Sequence, residues 1–215
     1  MVDTIFWDND GVLVDTERLY FEATRQILAS VDIPLTPAVY RDLFLIQGKG
    51  AWHLAAERGL DSAHIAELRR SRNELYGERL AQEPLVIDGV ADVLDALHGT
   101  YRMGIVTSSR KDHFDVIHER TGLLKYFDFI LTAGDYPRVK PHPDPYLLAL
   151  ERSGVRRESC VAIEDSERGL AAARAAGVDC LVVPTRLTEG CAFEGARGVL
   201  GSIAEVPAAL RDAAV

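Results

Sequence analysis

The sequence predicts an α/β protein, a parallel sheet with helices on both faces, interrupted early by an all-helical insert. Three observations carry that reading. The short apolar run at residues 4–7 ends abruptly in acids, as a buried strand does where its carboxyl end opens into a polar site. Beyond Pro84, helical periodicity alternates with short continuous apolar runs, the mark of strands buried on both faces and joined by right-handed crossovers. Between them, residues 15–83 stay helical with no convincing strand.

The first strand, 4–7, is followed by a helix over about 17–30. Further helices span about 35–45, 51–58 and 62–80, separated by Pro34, Pro37, the pair Gly48 and Gly50, and Gly59. In the alternating part, a helix at 90–97 precedes a strand at 103–107, and a helix at 112–120 precedes a strand at 129–131. A helix at 143–153 then precedes a strand at 160–163, and one at 169–176 precedes a strand at 180–183. The tail after Thr185 carries one helical signal, at 207–213. The expected division is a core of 1–14 and 84–215 and an insert of 15–83.

Composition narrows the function classes. The 215 residues are 47% hydrophobic, enough for a sizeable core, and too apolar and too mixed in charge for a disordered chain. No apolar run approaches the roughly 18–20 residues of a membrane span. With 24 Lys and Arg against 33 Asp and Glu and no basic block, a nucleic-acid partner is not expected, whereas a pocket for a small anion is. Cys160, Cys180 and Cys191 lack metal or dithiol spacing and read as reduced, mostly buried thiols. The N-terminus places acids almost at once and lacks the basic region of a secretory signal, so a cytoplasmic address is expected; the oligomeric state is left open, with a monomer favoured.

In sheets of this kind ligands bind beyond the carboxyl ends of the strands. Those ends carry Asp8 and Asp10 after the first strand and Thr107, Ser108 and Ser109 after the second. The loop after the third reaches Lys140, and Glu164 and Asp165 follow the fourth. If extended geometry persists through Asn9, the Asp8 and Asp10 side chains project on one side about 7 Å apart, and Gly11 lets the chain turn away. Four carboxylates on neighbouring strands repel unless a cation sits among them, and hard oxygen donors favour Mg²⁺. Each signal alone is weak. Asp8-Asn9-Asp10-Gly11 reads equally as an acidic turn, Lys140 as a solvated lysine, and Thr107 as a helix cap. His142 reads as a loop histidine, and Glu167 and Arg168 as a solvated first helical turn.

Their order on successive strand ends is specific. The segments Asp8 to Glu17, Val106-Thr107-Ser108, Lys140-Pro141-His142-Pro143 and Ile163-Glu164-Asp165-Ser166 with Gly169 closely resemble the four motifs of the haloacid dehalogenase-like hydrolase superfamily. The resemblance runs from about Ile5 to Pro184 and is strongest to the phosphoglycolate phosphatase and β-phosphoglucomutase branch. It implies a Rossmann-like core with a helical cap, and a Mg²⁺-dependent phosphatase of a small phosphorylated metabolite, a sugar phosphate or a phosphoglycolate-like compound. By resemblance Asp8 is the nucleophile that becomes an aspartyl-phosphate, and Asp10 is the acid and base. Thr107, Ser108 and Lys140 hold the phosphoryl oxygens; Asp8, the Asp10 backbone carbonyl, Asp165 and Glu164, directly or in support, hold the metal. In the insert, Lys49 within Gln47-Gly48-Lys49-Gly50 is the candidate for a second anionic group on the substrate, and reads equally as an exposed turn lysine.

Four positions depart from the family pattern. Asn9 stands where an apolar residue is usual, Trp7 where Phe is common, and Ser108 where the branch often has Asn. Tyr20 stands where many members carry His, which weighs against the alternative of a β-phosphoglucomutase-like phosphomutase. From a different class, a non-catalytic phospho-aspartate or metabolite-binding protein would carry similar acids; in a receiver domain the lysine follows the whole acidic set, whereas here Glu164 and Asp165 follow Lys140.

Overall fold

A computed structural model describes residues 2–211. The chain divides into two compact units, Met1–Asp15 with Leu85–Val215, and Thr16–Pro84.

In the first unit, the described residues form a parallel sheet in the order β3-β2-β1-β4-β5-β6. Its strands are β1 (Thr4–Trp7), β2 (Arg102–Arg110), β3 (Phe129–Ala133), β4 (Cys160–Glu164), β5 (Asp179–Val182) and β6 (Gly198–Val199). β1 lies in the middle and is wholly buried, which is why its sequence is apolar without alternation. The chain builds outward from β1 through β2 to β3, then returns to place β4 on the other side of β1. The strand order therefore reverses between β1 and β4, the point at which sheets of this kind bind ligands beyond the carboxyl ends of their strands. Register completes the arrangement: Trp7 lies opposite Ile105 of β2 and Ile163 of β4, so the residues that follow each of them come to one level.

Phe6, Val106, Tyr146, Ala162, Leu170 and Val182 belong to one buried cluster of this unit. The helices of the unit are α5 (Val90–Leu97), α6 (Lys111–His118), α7 (Asp144–Ser153), α8 (Glu167–Ala175) and α9 (Val206–Arg211). Ser166 caps α8 by accepting the Gly169 amide, so that helix begins two residues before the periodicity suggested. β2 runs on to Arg110 through a register shift after Val106. The two-residue β6 carries no period to read, and of the expected final helix, residues 212 and 213 lie outside the described residues.

The second unit is helical. It contains α1 (Thr16–Ala29), α2 (Pro37–Tyr40), α3 (Trp52–Glu57) and α4 (Ser62–Gln82). The single helix expected at 35–45 is two structures: Thr36 caps α2 at Pro37, and Arg41–Ile46 then widens into a π-helix. Apolar periodicity does not distinguish one bonding pattern from the other. Tyr40 and Phe44 stack at 4.4 Å along the widened turn. Among the described residues, no helix is long and apolar enough to cross a membrane. Cys160 and Cys180 are buried free thiols, and Cys191 is half-buried.

Candidate active site

β1, β2 and β4 deliver their polar ends to the reversal point of the sheet. The Asp8 amide still donates to Ile163 O at 2.9 Å, so its carboxylate emerges beside β4. Beyond it the chain curls tightly, with Asn9 O accepting from the amides of Val12, Leu13 and Val14. Gly11 sits in this curl at φ +87°, and a Cβ there would come 2.3 Å from Asp165 Oδ2. Only glycine allows both that backbone angle and that approach.

Asp8, Glu164 and Asp165 are all buried, and one carboxylate oxygen from each falls within 4.8 Å of the others. Lys140 Nζ lies 2.7 Å from Asp8 Oδ1, 2.7 Å from Glu164 Oε1 and 2.7 Å from Val106 O. Burial pushes the Lys140 ammonium towards neutrality, but the Asp8 and Glu164 carboxylates outweigh it and hold the pKa above the usual lysine value. Asp8 is held the other way: burial and the Glu164 charge raise it to about 7, against the pull of Lys140. One ammonium does not neutralise three buried carboxylates. Glu164 Oε2 is also buried with no hydrogen-bond partner, a costly condition that a cation relieves. All-oxygen donors with this charge excess fit a hard divalent ion such as Mg²⁺.

The Asp10 carboxylate is not one of the three donors. Its Oδ2 accepts from Ser109 Oγ at 2.6 Å and Thr107 Oγ1 at 3.1 Å. Thr107 Oγ1 also accepts the Ser109 amide, so the end of β2 folds onto Asp10. Ser108 Oγ is buried at the same strand end, beside the Tyr136 hydroxyl. Of the residues singled out in the sequence, Asp8, Glu164, Asp165 and Lys140 thus meet at one point, and Asp10 and Thr107 meet beside them. Lys49 belongs to the helical unit, on a loop where its amide donates to Leu43 O. His142 is exposed, as a loop histidine is expected to be.

The sequence did not single out several supporting residues. The Tyr146 hydroxyl, fully buried on α7, donates to Glu164 Oε1, and the Tyr136 hydroxyl donates to Thr107 O. Ser109 stood at the strand end but had no role until its hydroxyl was seen on Asp10. His118 was legible in principle, because it shares the inner face of α6 with Phe114 and Ile117. A histidine on an apolar stripe is a polar group that must find a partner.

The sequence model of the haloacid dehalogenase-like hydrolases matches residues 5–183. The chain belongs to that family. It is 31% identical over 184 residues to the fructose-1-phosphate phosphatase YqaB of Escherichia coli, covering 83% of this chain and 95% of that protein. It is also 31% identical over 204 residues to the protein CbbY of Rhodobacter capsulatus, with 89% of each chain covered. Among solved structures, CbbY from Rhodobacter sphaeroides in complex with phosphate superposes with a TM-score of 0.80 at 28% identity, covering 98% of this chain and 100% of that one. This haloacid dehalogenase-like hydrolase is a phosphoric monoester hydrolase.

Proposed function

We propose that this hydrolase is a Mg²⁺-dependent phosphatase of a small phosphorylated metabolite, working through an aspartyl-phosphate on Asp8. The observation that carries the reading is the meeting of Asp8, Glu164 and Asp165 with Lys140 at the point where the strand order reverses. The likeness to a fructose-1-phosphate phosphatase and to CbbY supports a sugar phosphate or a compound of similar size as substrate.

In this reading an Asp8 oxygen attacks phosphorus, the bond from phosphorus to the ester oxygen breaks, and Asp10 gives its proton to the departing alkoxide. Water then attacks the aspartyl-phosphate while Asp10 takes its proton, releasing phosphate and restoring the Asp8 carboxylate and the Asp10 carboxylic acid. Asp8, Asp165, the Asp10 carbonyl and Glu164, directly or from behind, would hold Mg²⁺. When bound, the ion offsets the repulsion between the carboxylates and the dianionic ester. Lys140 and Thr107 steady the phosphoryl oxygens, and the buried Ser108 hydroxyl is a further donor at the same strand end. For this task Thr107 Oγ1 turns its hydrogen from Asp10 to the substrate. In the helical unit, Lys49 is the candidate for a second anionic group. Tyr20, where a mutase of this branch would carry a histidine, favours water over a sugar hydroxyl as the final acceptor.

The test at the centre of the chemistry is Asp8→Asn. It should abolish phosphate release while the circular dichroism spectrum and cooperative unfolding persist. Retained wild-type turnover would sink the aspartyl-phosphate.

A further inference from the structure

Asn9 is fully buried beside the two reacting carboxylates, at a place where an apolar side chain would be cheaper. Both ends of its amide are engaged along one line. Asn9 Oδ1 lies 2.8 Å from His118 Nε2, and Asn9 Nδ2 faces Asp10 Oδ2 at 3.4 Å. His118, 6% exposed on α6, places its other ring nitrogen 2.9 Å from Thr121 Oγ1, which in turn accepts the Leu123 amide at 3.3 Å.

With Asp10 Oδ2 as an acceptor, one placement of hydrogens satisfies the whole line. Burial pushes the imidazole down to about 4 against the opposing charge of Asp10, so the ring is neutral near pH 7 and one nitrogen must accept. Thr121 takes the Leu123 hydrogen and gives its own to Nδ1; Nε2 then carries the ring hydrogen and donates to Asn9 Oδ1. The amide is thereby locked against flipping, because the reverse orientation would set Nδ2 against Nε2–H and Oδ1 against a carboxylate oxygen. The donors run from Leu123 through Thr121, His118 and Asn9 and end on Asp10.

We propose that Asn9 and His118 are positioning residues that hold the Asp10 carboxylate in the orientation needed for proton transfer at the leaving group. The proposal rests on the phosphatase reading above and extends it. The hydroxyls of Thr107 and Ser109 also reach Asp10 Oδ2, but hydroxyls rotate, and Thr107 cannot give one hydrogen both to Asp10 and to a phosphoryl oxygen. The flip-locked amide keeps its direction when Thr107 turns. Its 3.4 Å separation is long, as catalytic contacts often are before substrate binds.

The test compares kcat/KM for para-nitrophenyl phosphate, whose leaving group needs no proton, with that for the sugar phosphate the wild type hydrolyses fastest. His118→Phe and Asn9→Leu should each lower the sugar phosphate value about tenfold more than the aryl value, a fraction of the 10²–10⁴ typical of general acid catalysis. His118→Gln, which keeps a donor near the place of Nε2, should recover most of the loss. Both substrates are measured on one preparation, so the ratio does not depend on how much of a variant folds. Equal losses on both substrates, or a Gln variant no better than Phe, overturn the proposal and leave the phosphatase reading standing. A wild type that releases phosphate from neither substrate with Mg²⁺ overturns that reading and the positioning role together. Independently of turnover, nitrogen-15 spectra of the wild-type histidine should show the Nε2–H tautomer, and an Nδ1–H form contradicts the chain of donors.

Discussion

At the residue scale the site is a balance of buried charges. Lys140 is shared between Asp8 and Glu164, and both carboxylates hold it protonated although burial opposes this. His118 is the opposite case, a buried base kept neutral. Its folded-state value of about 4 lies below the 6.5 of an exposed imidazole, so the unfolded chain binds more protons between those values. The stability that neutral His118 retains is therefore complete above pH 6.5, falls as the pH drops and levels off below about 4. The shift corresponds to about 3 kcal/mol. Asp8 titrates across an overlapping range with the opposite sign, so the comparison must be with His118→Phe, in which the Asp8 contribution is common and cancels. Urea titrations at a series of pH values should show the wild type losing about 3 kcal/mol relative to that variant between pH 7 and 4. A difference independent of pH would mean that His118 is not neutral in the fold.

At the scale of elements, strand register and helix starts place the chemistry. The residues after β1, β2 and β4 were legible because each short apolar run stops at a polar residue, and parallel pairing brings those stops to one level. The strand β6 was not legible, since two residues show no alternation and Val199 is 54% exposed. The Asn9 to His118 contact joins residues 109 positions apart, and no local pattern announces which buried polar groups will meet. Nor does local pattern foretell Tyr146 behind Glu164. Helix α8 shows how close the fit is: a Cβ on Gly169 would lie 1.8 Å from Glu164 Oε2. Alanine is the better helix former by about 1 kcal/mol, but displacing a buried carboxylate that also holds Lys140 outweighs that gain. Gly169→Ala should lose about 1–3 kcal/mol in chemical denaturation and most of its turnover. A variant as stable and as active as the wild type would show that Glu164 has room to move.

At the scale of the whole molecule, the structure divides the chain into one unit of Met1–Asp15 with Leu85–Val215 and another of Thr16–Pro84. Every residue assigned here to phosphoryl transfer lies in the first unit, although the chain supplies them from positions as far apart as Asp8 and Asp165. In the proposed function, this gathering of carboxylates around one lysine hydrolyses phosphate monoesters with the help of Mg²⁺. Its most direct test is phosphate release by the purified chain from sugar phosphates, phosphoglycolate, nucleotides and para-nitrophenyl phosphate, each with Mg²⁺ and with a chelator. Release is expected with Mg²⁺, fastest from a small phosphorylated metabolite, and should be lost on chelation. Release that chelation leaves unchanged, or no release from any compound in the presence of Mg²⁺, would contradict it.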